Sequence, residues 1–124
     1  MNELAGRISD AELEVMKVLW EAECDLPVTN IREKLQERKG WEPTTIKTLV
    51  SRLVGKGVIK QEKFGVFYYT PLVTEKEYNE WVTNSLVDKV YDGSVKNLIA
   101  ALVNSDGLTP EDLKELRDMF KVED

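Results

Sequence analysis

Six polar or basic side chains lie along one face of the stretch 41–57, WEPTTIKTLVSRLVGKG. They are Thr44, Thr45, Lys47, Thr48, Ser51 and Arg52. Hydroxyl groups and cations of this kind donate hydrogen bonds to phosphate oxygens and to the edges of bases. None of the six is acidic, whereas a helix face that meets only water normally mixes glutamate with lysine. The pattern therefore predicts a DNA recognition helix.

The same stretch carries the signals of a helix that packs on a core. Pro43 suits the first helical position, and Lys56 with Gly57 supplies a cationic last turn and a stop. Four apolar residues fall at the spacing i, i+3, i+4 and i+7, which places them on one face. They are Ile46, Leu49, Val50 and Leu53. We expect this face to pack inward and the polar face to point outward.

Two shorter helices precede the recognition helix. Ser9 and Glu12 form a capping box that opens the first helix. A second helix follows Pro27 and closes at Gly40. The hydroxyl of Thr29, at its entry, can either cap the helix or contact a phosphate. A short turn joins this second helix to the recognition helix, which is basic and rich in hydroxyls. This pair of helices matches the helix-turn-helix plan.

After Gly57 the apolar period changes to that of strands. Residues 58–63 and 66–70 are strand-like and are joined at Phe64 and Gly65, which predicts a β-hairpin directly after the recognition helix. Such a hairpin is the wing of a winged helix. Lys60 and Lys63 on this wing either contact phosphates or protect an exposed strand edge from pairing, and the two roles are compatible.

The remaining residues predict three helices whose apolar rows exceed what so short a segment can bury by itself. We place the domain boundary at Pro71, with a DNA-binding domain in residues 1–71 and a helical domain in residues 72–124. The surplus apolar surface either packs on the first domain or on a second copy of the chain, and a two-fold DNA site favours the second copy. The predicted dimerisation residues are Tyr78, Trp81, Leu86, Leu98, Leu102, Leu113, Leu116 and Phe120.

Composition narrows the function classes. The net charge of −6 lies entirely after Pro71: residues 1–71 hold 11 basic and 11 acidic residues, and residues 72–124 hold 6 and 12. A chain without histidine and with one cysteine, Cys24, lacks the usual zinc ligands, so we expect no metal site and no cofactor. It also lacks a histidine base and a glycine-rich phosphate loop, so we do not expect an enzyme. With neither a long apolar segment nor a leader, the chain is expected to be cytoplasmic.

The predicted fold is mainly α-helical with a small β-hairpin, a winged helix-turn-helix domain followed by a helical dimerisation domain. The predicted function is that of a sequence-specific DNA-binding repressor, a homodimer on palindromic double-stranded operator DNA. The alternative is a winged-helix module that binds a protein and does not contact DNA directly.

Three segments carry a family resemblance. Residues 8–20, ISDAELEVMKVLW, resemble the opening helix of the penicillinase and methicillin-resistance repressors, the BlaI/MecI group with its copper-responsive CopY relatives. TTIKTL at residues 44–49, followed by Arg52-Leu53 and Lys56-Gly57, resembles their recognition helix, and FYYTP at residues 67–71 resembles their second wing strand. The resemblance implies a homodimeric winged-helix repressor of operator dyads with a helical C-terminal dimerisation domain.

The resemblance also bears on regulation. In the antibiotic-responsive branch it implies relief of repression by a membrane sensor-protease that cuts an Asn-Phe bond in the second C-terminal helix. The positions that align here are Ala101 and Leu102, so these mark the possible proteolytic site, although neither residue type is retained. The copper-responsive branch has paired cysteines near its C-terminus. Cys24 is alone, so copper sensing is not expected.

Overall fold

The computed structural model describes residues 3–22, 24–105 and 107–121, and for residues 120 and 121 it describes the backbone alone. Within these residues the chain forms a short 3₁₀ helix, six α-helices and three strands. In chain order they are the 3₁₀ helix Glu3–Arg7, α1 (Asp10–Ala22), β1 (Leu26–Pro27), α2 (Val28–Lys39), α3 (Pro43–Gly55), β2 (Ile59–Phe64), β3 (Val66–Pro71), α4 (Glu75–Val90), α5 (Val95–Val103) and α6 (Pro110–Lys121).

Local signals open and close these helices where the sequence predicts. The backbone N–H of Ser9 donates to Glu12 Oε1 over 2.9 Å, and the N–H of Glu12 donates to Ser9 Oγ over 3.2 Å, so the capping box of α1 is confirmed. Helix α3 begins at Pro43, whose missing N–H costs nothing at a first helical position. Gly57, at a φ of 77°, then turns the chain away from the helix axis.

The sheet has three strands, one more than the predicted hairpin. All pairs are antiparallel and the order is β1-β3-β2, so β3 is the central strand. Strand β1 contributes only Leu26 and Pro27, which pair with Tyr69 and Tyr68. Two residues are too few to show an alternating pattern, and proline is rare in strands except at edges. The sequence pattern therefore gives no signal for this edge strand.

One core joins α1, α2, α3 and the sheet. The four apolar residues of α3 are at most 5% exposed, which confirms the inward face predicted for that helix. Ile31 and Leu35 of α2 and Ile59 and Tyr69 of the sheet are also buried. The full core is Ala5, Ile8, Val15, Met16, Val18, Leu19, Ile31, Leu35, Ile46, Leu49, Val50, Leu53, Val58, Ile59, Tyr69 and Val73. Burying these side chains fixes α3 with its polar face outward.

The chain divides into two compact units inside helix α4. The first unit ends at Val82 and the second begins at Thr83, whereas the sequence predicted the boundary at Pro71. The difference has a physical cause: Tyr78 and Trp81, on the first turns of α4, pack against the core of the first unit. These turns therefore belong with the first unit rather than with the helices that follow.

The second unit contains the rest of α4 together with α5 and α6. The hydroxyl of Ser94 accepts the N–H of Asn97 and so caps α5. Thr109 and Asp112 exchange hydrogen bonds that cap α6, with Pro110 as its first residue. In the described ranges, no helix is long and apolar enough to cross a membrane.

Candidate nucleic-acid interface

The polar face of α3 is open to solvent along its whole length. All six predicted contact residues of this helix are exposed, while the opposite face is buried. At 100° per residue, the six span an arc of about 160°. In order around the helix they are Lys47, Ser51, Thr44, Thr48, Arg52 and Thr45. An arc of this width is what a helix presents when it enters the major groove.

The arc has a middle and two flanks with different chemistry. Thr44 and Thr48 lie at its centre and are short enough for a base edge to approach the backbone. Lys47 and Ser51 form the flank that faces the wing. Thr45 and Arg52 form the other flank, beside a shallow surface depression of about 310 Å³. Each flank thus carries one cation and one hydroxyl, so each can hold a phosphate or a guanine edge.

The hydroxyl of Thr48 already has a partner for its proton. Its Oγ1 donates to the carbonyl oxygen of Thr44 over 2.9 Å, a bond made back to the preceding turn. What Thr48 offers outward is therefore the lone pairs of the oxygen and a methyl group. Such a side chain can accept from the exocyclic amine of adenine or cytosine, or it can contact the methyl group of thymine.

A groove of about 540 Å³ separates α3 from the wing. Its floor is apolar, and its rim carries the cations Arg32 and Lys47 with the polar side chains of Thr44, Ser51 and Gln61. The lining residues are Val28, Arg32, Pro43, Thr44, Ile46, Lys47, Val50, Ser51, Gln61, Phe67 and Tyr69. No carboxylate lines it, so the groove continues the acid-free surface of α3 onto α2 and the sheet.

Arg32 and Gln61 line this groove, although the sequence analysis does not predict either of them as a site residue. Strand alternation was the available signal for Gln61, because Ile59 is buried and side chains two residues apart share a face. For Arg32 no signal was available, since the angle between α2 and the sheet is a tertiary property.

The two wing lysines lie on opposite faces of the sheet. Lys63 pairs with Phe67 across the strands and its Nζ lies 5.7 Å from the centre of that ring, on the face that also presents Gln61 to the groove. Lys60 is on the other face, where its Nζ lies 2.8 Å from Glu62 Oε1. A hydrogen bond from Lys60 to this carboxylate raises the lysine pKa. Lys63 thus faces the groove beside α3, whereas phosphate contact by Lys60 stays a prediction beside its role at the strand edge.

Lys56, at the end of α3, makes contacts within the protein that stabilise the fold. Its Nζ lies 2.6 Å from Glu12 Oε1 and also donates to the carbonyl of Arg7. Glu12 is 1% exposed, and burial by itself raises the pKa of its carboxyl. Hydrogen bonds from Lys56 and Ser9 outweigh that effect and bring the pKa below its ordinary value of 4.5. The pair ties the start of α1 to the end of α3.

Thr29 does not cap helix α2. The residue before the helix is Pro27, and no side chain caps this end. Thr29 is exposed, and its hydroxyl donates weakly to Asn30 Oδ1 over 3.4 Å. Of the two roles left open for Thr29, capping is therefore wrong and phosphate contact stays a prediction.

Comparison with known proteins decides the family. The model of the penicillinase repressor family matches residues 8–122, which is nearly the whole chain. This chain belongs to the penicillinase repressor family. The family consists of transcriptional repressors, so membership confirms the prediction that the chain is not an enzyme.

Individual relatives agree over most of their length. The penicillinase repressor of Bacillus licheniformis is 36% identical over 116 residues, 93% of this chain and 90% of its own. The methicillin resistance regulatory protein MecI of Staphylococcus aureus strain N315 is 34% identical over 121 residues, covering 97% and 98%. Among solved structures, the B. licheniformis repressor BlaI, in its monomeric form with the blaP half-operator, is 43% identical, with a TM-score of 0.51, covering 57% of this chain and 87% of that one. These matches confirm the winged-helix fold and the family predicted from sequence.

The residues predicted for dimerisation fall into two groups. Tyr78 and Trp81 are half-buried against the core of the first unit, so the structure gives these two a contact within their own chain. The others with described side chains lie on helices of the second unit, where Leu86, Leu102 and Leu116 are 40%, 51% and 37% exposed. Leu98 and Leu113 are half-buried. The side chain of Phe120 lies outside the described residues.

The possible proteolytic site lies within α5. Ala101 and Leu102 are both exposed, on the last turns of this nine-residue helix. Cys24, the lone cysteine, is also exposed. Among the described residues, no cluster of cysteine, aspartate or glutamate side chains has the geometry of a metal site.

Proposed function

We propose that this chain represses transcription by binding a two-fold symmetric operator as a homodimer, with one recognition helix in the major groove of each half-site. The observation that carries the proposal is the acid-free face of α3, exposed in full and mounted on a fold shared with a relative whose structure was solved with a half-operator. Two helices in successive major grooves lie about 34 Å apart. Repression follows from occupying promoter DNA, and since the target is DNA of the cell interior, we place the protein in the cytoplasm.

The roles of the side chains follow from their positions on the arc. Thr44 and Thr48, at the centre, would contact base edges, with Thr48 as an acceptor or a methyl contact. Lys47 and Arg52, on the flanks, would contact phosphate or guanine. Thr45, Ser51 and Lys63 would bind the sugar–phosphate backbone beside them, which fixes the depth and register of the helix.

Support for a homodimer comes from the second unit. Its helices expose apolar rows that a single copy leaves in contact with water, and contiguous apolar surface of this kind marks a protein interface. A two-fold pair also matches a two-fold DNA site, because each half-site then meets the same surface.

The test begins with selection of bound fragments from genomic DNA by the purified full-length protein, which we expect to return a dyad motif. On that duplex, Lys47→Ala and Arg52→Ala should each weaken binding by about 1–3 kcal/mol if the side chain contacts a base. Lys76→Ala, which removes an exposed cation of α4, is the matched control and should leave affinity unchanged. A selection without a common sequence would instead favour the protein-binding alternative.

For release of the repressor, we propose a cut by a sensor-protease at Ala101-Leu102. A cut there would separate α6 and the end of α5 from the chain, and so would remove much of the exposed apolar surface proposed for the dimer while sparing the DNA-binding unit. Mass spectrometry of the protein from induced and uninduced cells tests this. An induced fragment that ends at residue 101 supports the proposal, whereas intact chain in derepressed cells contradicts it.

A further inference from the structure

Helix α4 is attached to the DNA-binding unit by three aromatic side chains and one glycine. The indole Nε1 of Trp20, on α1, donates to the carbonyl oxygen of Val73 over 2.9 Å, directly before α4 begins. The ring of Trp20 meets that of Tyr78 with centroids 5.7 Å apart. One turn further on, Trp81 lies over Gly6 of the 3₁₀ helix. We name these four residues, Gly6, Trp20, Tyr78 and Trp81, the α4 anchor.

The fit of Trp81 on Gly6 is close enough to require glycine. A Cβ built on Gly6 would lie 2.5 Å from Cζ2 of Trp81 and within 3.1 Å of two further ring atoms. Gly6 does not have a positive φ, so its lack of a side chain is explained by this close approach and not by backbone conformation. A side chain at position 6 would therefore force the indole ring to move from this position.

The anchor stands next to the boundary between the units. The first unit ends at Val82, one residue after Trp81, and α4 continues as a single helix to Val90. Helix α4 thus contributes residues to both units.

We infer that Trp81 is a positioning residue for operator binding: its seat on Gly6 fixes α4 to the winged helix, so that the two recognition helices of a dimer are held at the spacing of the operator. The inference rests on the proposed function. A second binding event in a dimer depends on an effective concentration that is highest when the connection holds both modules in the correct geometry. Release of the anchor leaves each recognition helix intact and lowers that effective concentration.

The inference predicts that the affinity for an isolated half-site and the affinity for the full dyad respond differently to loss of the anchor. Trp81→Ala should leave binding to an isolated half-site duplex unchanged and weaken binding to the full dyad by about tenfold or more. It should also reduce the penalty for inserting or deleting one base pair between the half-sites, because a loosely held helix tolerates altered spacing. Gly6→Ala, which acts from the other side of the contact, should have the same signature.

The experiment uses full-length protein, the dyad recovered by genomic selection, and one half of that dyad as a separate duplex. Asn79→Ala, an exposed change on the same helix, is the control and should behave as the parent in every assay. Thermal unfolding and sedimentation show that each variant is folded and dimeric, and Gly6→Ala provides the test if Trp81→Ala does not fold.

The outcomes separate the inference from the proposed function. Loss of dyad affinity with relaxed spacing and unchanged half-site affinity supports the inference. Equal losses on half-site and dyad would show that the anchor only stabilises the winged helix and would overturn it, as would an unchanged dyad affinity. Failure of the parent protein to bind either duplex would refute the proposed function itself, and the inference with it.

Discussion

Sixteen buried apolar residues form one core in the unit that ends at Val82, whereas Val87 is the one buried apolar residue among the described side chains of the unit that begins at Thr83. The second unit instead exposes large apolar side chains along all three of its helices. They are Leu86, Val90, Val95, Ile99, Leu102, Val103, Leu116 and Met119. The first unit has enough interior to satisfy its own side chains, and the second does not. Folding is thus satisfied within the first unit, and the exposed apolar rows of the second unit are the surface proposed for the dimer.

The largest expected effect tests whether the exposed rows are an interface. Ile99→Asp, on α5, places a charge in each half of a two-fold contact. If each copy of the substitution costs about 2 kcal/mol or more of dimerisation free energy, the dimer dissociation constant should rise about a thousandfold or more. Asn97→Asp adds the same charge on the opposite side of α5 and should leave the dimer intact. Sedimentation velocity over a concentration series measures both. A parent protein that is already monomeric would contradict the comparison.

The next effect concerns the core of the first unit. Leu53→Ala removes a fully buried side chain and should lower the free energy of unfolding by about 2–5 kcal/mol. Leu102→Ala removes the same atoms from a side chain that is 51% exposed, and in dilute, dissociated protein it should cost much less. Urea unfolding followed by far-UV circular dichroism, which detects the helices of both units, reports on both. Similar losses would show that the second unit has an interior of its own.

A smaller effect probes the buried ion pair. Glu12→Gln replaces a carboxylate that accepts from Lys56 and Ser9, and should cost about 1.5–3 kcal/mol at neutral pH. Because folding lowers the pKa of Glu12, this contribution is complete above the ordinary value of 4.5 and is lost as the pH falls through the folded-state pKa. The stability difference between parent and variant should therefore shrink in acid.

Glu21→Gln is the matched control for that experiment. Hydrogen bonds from Arg38 lower the pKa of Glu21 as well, but this pair is exposed to water. We expect no measurable change in stability at any pH, because solvent screens exposed pairs. A pH-dependent loss as large as that of Glu12→Gln would show that burial is not what distinguishes the two carboxylates.

The smallest effect concerns chemistry on the surface of the first unit. Thr48→Val keeps the shape of the side chain and removes its oxygen, whereas Thr48→Ser keeps the oxygen and removes the methyl group. If Thr48 accepts from a base amine, Val should weaken operator binding by about 1 kcal/mol and Ser should not. If the methyl group makes the contact, the order reverses. Neither change should affect the free energy of unfolding, because Thr48 is exposed.

The comparison of the two units also shows which structural features can be predicted from the sequence. Periodicity placed α3 and its buried face correctly, because Ile46, Leu49, Val50 and Leu53 pack in the way their spacing requires. The capping pairs Ser9–Glu12, Thr74–Glu77 and Thr109–Asp112 are all present, since a cap depends only on residues three positions apart. Signals of this kind depend only on residues close in sequence, so the tertiary fold does not change them.

Properties set by the tertiary fold were less accessible. Val82, Leu86 and Val90 are apolar residues of α4 like Trp81, but all three are exposed in the single chain, and only Trp81 and Tyr78 pack against the core of the first unit. The sequence of an apolar row does not determine which other element will pack against it. In the site, the α3 residues followed from the helix period, whereas Arg32 depended on how α2 meets the sheet. Lys60 and Lys63 differ only by the face of a strand.

The internal pairing of Lys56 and Lys60 has a consequence for how ionic strength should act on this protein. Of the cations near α3 and the wing, these two already face carboxylates, at 2.6 and 2.8 Å. Arg32, Lys47, Arg52 and Lys63 have no carboxylate within salt-bridge distance among the described residues. A two-fold pair would then displace counterions through eight cations, so the logarithm of its affinity should fall against the logarithm of salt concentration with a slope no steeper than about −7.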